Sequence, residues 1–554
     1  MTRVKRAAQW LDVTSEVISD RLNPILVKET RQALKSRQFV ATFLLMLTAS
    51  WLISIFGAML AHAQIQYGES GEGFFIAYYA VLAVAILVIV PFGAFRSLLN
   101  ERDLDTSELL QITTLSPRRI IWGKLMSAVV QLMIYYSAIA PFIAFTALLR
   151  GFDLATAAVV LVLSFLYSIF ASMVALMLST LVRQRHTQSL LSLILLAGLA
   201  MSFFSALSMV GSAIAFELPI NSRDFWIPMG LMSIYGILGF VLCLQIATAQ
   251  LTFESDNRST GIRLTCTAVF GYTWLWVGAA ILSALFLPGS WFGMSGSRSG
   301  LGGVVATTTA FTAFGLMAVG LFAVTEDEHL SRRVRRELPV RSFWRLFRIP
   351  FLPGGGRGLI YLMGHTAVLW AFAVGLLLIL GADRTHFAFV TSVCCYLLIY
   401  LGVGAFLGRW IRELAADVRA AHARVLVVFL GIGGSLFPHL ALLFDSRPRY
   451  PRQSLFQLSD PFSTLSAILE GNNSRWAVGL LLFATVASLA LNVKTMLAGI
   501  GEVMNAEPRK GTTPAAKEVA AESAADAADE PEMRRTFVPE AESRPASSAA
   551  VPQE

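Results

Sequence analysis

Apolar runs of about twenty residues, separated by short polar or basic links, recur along the chain from residue 39 to residue 493. They fall at about 39–61, 73–95, 125–149, 154–182, from Ser189 onward, then about 225–251, 265–287, 304–324, 359–380, 387–408, 425–444 and 476–493. Each is long enough to cross a hydrocarbon layer of about 30 Å as a helix. Backbone polar groups have no water to bond inside that layer, so helices are the form such runs take. The pattern predicts an all-α, polytopic helical membrane protein with about twelve transmembrane helices, six plus six.

Three stretches depart from this rhythm. Asn23-Pro24 suits a cap and first turn, opening a helix to about Arg37. On it Ile25, Leu26 and Ala33 share one side, with Lys28, Arg31 and Lys35 roughly opposite, as in a helix lying in the membrane interface. Residues 205–223 are apolar but irregular, with Glu217, Pro219 and Asn221. The loop 445–475 is the longest outer one, and D-P-F-S-T-L-S-A-I-L within it predicts a short helix against the membrane surface. Beyond about Asn505, Ala, Glu, Pro and Ser dominate and the chain is expected to be disordered. The expected divisions are a first membrane module at 1–255, a second at 256–503 and a tail at 504–554.

Composition supports the membrane reading: 55% of the 554 residues are hydrophobic and 14% charged. The net charge of +8 invites nucleic acid as a partner. The bases, however, sit in short loops between spans, where they set orientation and hold anionic lipid heads, so no nucleic acid is expected. With both termini inside, about 36 of the 44 Lys and Arg fall on the cytoplasmic side and about 8 outside. A multi-pass protein of the cytoplasmic membrane follows. The N-terminus M-T-R-V-K-R-A-A-Q-W is charged but lacks the apolar core of a signal peptide, so the first span is expected to remain. Cys243, Cys266, Cys394 and Cys395 lie in or at the ends of apolar runs without metal-ligand spacing, and read as packing residues.

The stretch Asn100–Lys124, N-E-R-D-L-D-T-S-E-L-L-Q-I-T-T-L-S-P-R-R-I-I-W-G-K, carries the clearest candidate function. Thr106 or Ser107 can cap a short helix bearing Glu108, Leu109, Leu110 and Ile112. Ser116-Pro117 suits an N-cap and first helical position. A capped amphipathic turn among charges can dock on something outside the lipid. Asn100, Glu101, Arg102, Thr106, Glu108, Leu109, Leu110, Leu115, Ser116, Ile120, Gly123 and Lys124 give the stretch its resemblance to the first cytoplasmic loop of type-2 ATP-binding cassette (ABC) exporter permeases. Asp105 stands where that family usually has Gly, and Thr114 where it usually has Pro. N-P-I-L-V-K-E-T-R-Q-A-L-K-S-R likewise resembles the elbow helix that precedes the family's first span, through Asn23, Pro24, Lys28, Glu29 and Arg31.

The resemblance implies a permease subunit, most naturally of an exporter, driven by a separate dimeric ABC ATPase. A second permease copy would be a further partner. Glu101, Arg102 and Glu108 would make polar contacts to the ATPase, Leu109 and Leu110 would fill its groove, and Pro117 and Lys124 would fix the helix at the interface. Arg118, Arg119 and Gly123 complete the matched stretch. It also implies short re-entrant helices near 205–223.

No G-x-x-x-x-G-K-[ST] occurs, so ATP and Mg would come through the partner and no cofactor is expected on this chain. Gly354-Gly355-Gly356 reads as a flexible lead-in to a span, and no catalytic or metal-ligating set stands out. Gly433-Gly434-Ser435 with His439 gives only a faint likeness to an intramembrane serine protease. Ionisable residues inside the spans are scarce. His365 and His439 are read as hydrogen-bonded core histidines, and Gln131, Tyr135, Tyr136, Gln245 and Gln250 as polar glue between helices. That scarcity argues for energy arriving from outside the bilayer. The alternatives are a secondary transporter of lipid or drug-like solutes and a membrane-embedded lipid-linked transferase.

Overall fold

The computed structural model describes residues 24–60, 71–103, 116–149, 153–182, 184–215, 218–253, 255–286, 298–339, 341–414, 420–443, 455–471 and 475–506. Among these there are helices, turns and bends, and no strand. The first half contains α1 (Pro24–Leu34), α2 (Arg37–Leu60), α3 (Gly71–Ala83), α4 (Val90–Asp103), α5 (Pro117–Leu148), α6 (Leu154–Leu181), α7 (Arg185–Ala215) and α8 (Arg223–Leu251). The second contains α9 (Thr260–Phe286), α10 (Arg298–Ala323), two short helices α11 (Arg332–Arg336) and α12 (Ser342–Arg348), then α13 (Gly355–Leu380), α14 (Arg384–Leu414), α15 (Ala420–Leu443), α16 (Pro461–Leu469), α17 (Arg475–Ala490) and α18 (Val493–Met504).

Among the described residues eleven helical stretches are long and apolar enough to cross a membrane, with α3 and α4 counted as one; α17 and α18, bent 47° at their junction, make a twelfth if they form one span. The protein is a helical, apolar, multi-pass membrane protein. Short links such as 149–153 and 182–184 force neighbouring helices antiparallel. The tail beyond Ala506 and the first 23 residues lie outside the described residues. Buried side chains collect into two large cores, one from Met46 to Ala247 and one from Trp274 to Ile468.

Two sequence features shape the first core. Pro91 has no N–H to give and its ring crowds the carbonyl of Leu87, which disfavours regular α-helix through that turn. The chain responds with a π-helical turn, Val84–Ile89, in which Val90 N–H bonds Ala85 O. Against it packs a stripe of small residues on α6, including Ser164, Ser168, Ala171, Ser172 and Ala175. Small side chains let backbones close up inside a membrane protein and leave hydroxyls to serve carbonyls. Ser168 donates to Ile86 O within the π turn, and Tyr79 and Ser164 share a hydrogen bond of 2.8 Å.

Elsewhere the chain departs from expectation. Residues 205–215 belong to the unbroken α7, and 218–222 form a turn in which Ser222 accepts from Asp224 N–H, so no re-entrant helices occur among the described residues there. Helix-breaking Pro219 and polar Asn221 fall past the end of α7 and not within it. The expected helix at 461–469 forms, with Asp460 as its cap, but is tucked inward: Ile468 and Thr464 are buried. Its approach, the 3-10 turn Leu455–Ser459, gives carbonyls to Tyr396 and Tyr400 of α14.

Candidate functional site

The loop most resembling a docking element is flanked by α4 and α5, and its flanks meet. Glu101 ends the span made by α3 and α4; Lys124 lies two turns into α5; Glu29 projects from α1. Lys124 Nζ sits 3.0 Å from Glu29 Oε1 and 3.1 Å from Glu101 Oε2, and donates to Ser97 O at 3.4 Å. Lys28 adds a longer ion pair to Glu101, 3.7 Å. The Lys124 side chain is 1% exposed, its two acids 12% and 14%. One ammonium buried between two carboxylates thus ties α1, α4 and α5 into one body. Burial pushes the Glu29 carboxyl above its ordinary value of 4.5, while Lys124 pulls it down; burial is the larger influence.

The remaining candidate residues divide sharply. Ser116 stands at the N-cap position of α5 with extended backbone, and Pro117 opens the helix. The Ser116 hydroxyl makes no capping bond; its carbonyl accepts from Arg119 and Ile120 N–H. Gly123 is buried beside Lys124, whereas Pro24, Arg31, Arg118 and Arg119 are exposed. Arg102 lies in α4. Asn23, Glu108, Leu109 and Leu110 fall outside the described residues, as does the expected helix at 106–112.

The chain matches no family model, no curated protein and no solved structure. Its function must therefore be argued from its own geometry.

The second half carries a larger polar assembly that sequence reading missed. Three consecutive acids after α10 each reach a different arginine. Glu326 Oε2 pairs with Arg263 of α9 at 2.7 Å, Asp327 with Arg412 of α14 at 3.3 Å, and Glu328 with Arg409 of α14 at 3.8 Å. Arg263 also donates to Pro350 O and Leu352 O at 2.8 and 2.7 Å. Arg357 of α13, fully buried, donates to Pro353 O, Glu328 O and Glu502 Oε2.

Gly354-Gly355-Gly356, expected as a flexible lead-in, is instead tightly packed, as is Gly358 beyond it. Gly354 has φ of 133°, open to glycine alone in practice. A Cβ on Gly355 would meet Val324 O at 2.7 Å, one on Gly356 Thr495 O at 2.7 Å, and one on Gly358 would collide with Ala323 O. Glu326 and Glu328 accept from the N–H groups of Gly354 and Gly356, capping the start of α13 with negative charge. The signal available in the sequence was the pairing of an acidic triplet, Glu326–Glu328, with arginines placed at the ends of apolar runs.

The polar residues within the spans mostly serve as glue. Tyr135 bonds Thr42 and Tyr136 donates to Leu161 O. His365 holds Thr267 and Tyr361 O, a bonded core histidine as expected. His439 is not in the core: its side chain is 64% exposed and stands 4.0 Å from Asp460. Asp460, read from the sequence as an outer-loop residue, is buried, and Ser435 of α15 donates to it at 2.9 Å. Ser435 lies eight residues before the end of α15, about 12 Å of helix. A carboxylate is thereby carried inward of the end of α15. In this Ser–Asp–His set the aspartate stands between the other two, the wrong order for activating a serine through histidine. Nearby, a groove of about 500 Å³ is lined by Tyr396, Tyr400, Val403, Gly434, Leu481 and Phe483. Cys243, Cys266, Cys394 and Cys395 are free thiols.

Proposed function

We propose that this chain is the permease subunit of an ATP-driven transporter, most naturally an exporter, worked by a separate dimeric ABC ATPase that docks on the loop 101–119. The observation carrying this reading is the Lys124 cluster. A push on the loop meets α1, α4 and α5 already tied at one buried point, so it moves three helices together. The π turn at Val84–Ile89 gives the span above the tie a place to bend. In this reading Glu108, Leu109 and Leu110 meet the ATPase, Arg31, Arg118 and Arg119 offer exposed positive charge beside it, and both termini face the cytoplasm. ATP and Mg are bound by the partner.

The test is co-purification of the chain with a P-loop ATPase. Leu109→Asp and Leu110→Asp are expected to abolish capture while leaving the melting temperature unchanged. Capture by both variants, or labelling of a cysteine at position 109 only from the outer side, would sink the reading.

A secondary transporter of apolar solutes is the second reading, favoured by buried Asp460 beside the apolar groove, since ion coupling uses such carboxylates. Transport that stops when the ion gradient is collapsed and ignores ATP depletion would select it.

A further inference from the structure

Helix α12, S-F-W-R-L-F-R, buries Arg345 and turns its large apolar side chains outward, with Arg348 exposed at its end. Phe343, Trp344, Leu346 and Phe347 are 63%, 56%, 55% and 58% exposed, and the three rings lie against one another. Arg345 faces the other way, 3% exposed, donating to Pro339 O, Met504 O and Ala506 O. Those bonds hold the aromatic face outward.

Its height is set by two anchors. Arg345 ties it to the end of α18, and Arg263, one turn into the span α9, holds Pro350 and Leu352 just behind it. The chain then enters the span α13 at Gly355. The patch therefore lies level with the ends of spans, where aromatic side chains sit among lipid headgroups. Exposed arginines lie close to it along the chain. Arg332, Arg336 and Arg341 have no acidic partner among the described residues, whereas Arg333 and Arg335 are paired with Asp256 and Glu502.

We infer that α12 is a membrane-surface anchor, its rings inserted in the headgroup layer and its flanking arginines bound to anionic lipid phosphates. The occupant follows from the chemistry: large exposed apolar side chains flanked along the chain by unmatched positive charge, at the depth of the interface. This holds for either reading of transport, because it concerns how the chain sits in its bilayer.

The experiment uses the full chain in nanodiscs, with an environment-sensitive fluorophore on Phe347→Cys and, independently, on Trp344→Cys. Labelled protein that keeps the wild-type melting temperature is carried forward. Unsubstituted chain taken through the same labelling subtracts signal from the native thiols. Expected are a blue-shifted emission, strong quenching by headgroup-nitroxide lipid and weak quenching by aqueous iodide. Replacing phosphatidylglycerol with phosphatidylcholine, or combining Arg332→Gln, Arg336→Gln and Arg341→Gln, should cut lipid quenching severalfold. Strong iodide quenching with no effect of nitroxide lipid would overturn the inference and leave the face to a protein partner. Iodide access that appears only after truncation beyond Ala506 would overturn it in favour of the chain's own tail.

Discussion

The two halves solve the same electrostatic problem differently. Each brings charge to the ends of its spans. In the first half one lysine serves two carboxylates from two other elements. In the second half arginines take over: Arg263 and Arg357 each bind one carboxylate and several backbone carbonyls, and the chain between α10 and α13 folds down over them. A guanidinium offers five donors in a fixed plane and can satisfy a whole set of chain ends at once, whereas an ammonium is a point charge on a flexible stem. The arginine assembly is thus a closed joint of many bonds, and the lysine cluster a single-point tie. This asymmetry is what the proposed function rests on when it puts the partner on the first half.

Breaking the closed joint should produce the largest effect. Arg357→Ala leaves Glu502 only Arg335 and Leu330 N–H, strips a donor from the carbonyls of Glu328 and Pro353, opens a fully buried space, and is expected to cost about 3–5 kcal/mol. Thermal unfolding in micelles would measure it; a loss under 1 kcal/mol would mean the joint is not tight.

Lys124→Met should cost less, about 2–3 kcal/mol, because Glu29 and Glu101 keep some access to water and Glu29, raised by burial, can take up a proton. Here pH sharpens the comparison. Glu29 binds its proton more tightly in the folded chain than in the unfolded one, so its contribution to stability falls as pH rises from the unfolded value through the raised folded value. Removing Lys124 raises that carboxyl further and widens the window. The variant should therefore regain melting temperature on moderate acidification, and the additional Glu29→Gln substitution should flatten the response. A Lys124→Met variant equally unstable across that range would show that the carboxylates are not what it leaves exposed.

Gly358→Ala should cost about 1–3 kcal/mol by forcing α13 away from Ala323, whereas Gly364→Ala, on the same helix with open space around it, should be neutral or slightly stabilising. Equal effects would remove close backbone packing from the account of the second half. The smallest effect belongs to Arg412→Gln. Its partner Asp327 is 90% exposed, so the loss should be below about 1 kcal/mol. A large loss there would mean that the number of ion pairs, not their burial, holds the joint together.

Much of the fold was legible because it is local. Runs of twenty apolar residues predicted the spans, and Ser116-Pro117 and Asp460-Pro461 marked helix starts correctly, since capping and proline's fixed φ act within one turn. Other features depended on contacts far along the chain. Gly354-Gly355-Gly356 looks flexible when read alone and is tightly packed because Val324 and Thr495 press on it. Asp460 reads as a surface cap until Ser435 and the groove beside α14 draw it inward. Lys124 and Glu29 were each noted for separate reasons, as parts of a docking loop and an interfacial helix. Their meeting was not readable, because 95 residues separate them.

By itself, then, the sequence determined that the chain is helical and membrane-embedded, and where most helices begin. Hydrophobic length and local capping suffice for that, because lipid leaves the backbone so few options. Only the tertiary structure decided which charges are buried together and which glycines are pressed against backbone. Those outcomes depend on distances between residues whose spacing along the chain carries no signal, and charges in a low-dielectric interior are tolerated only where such partners converge.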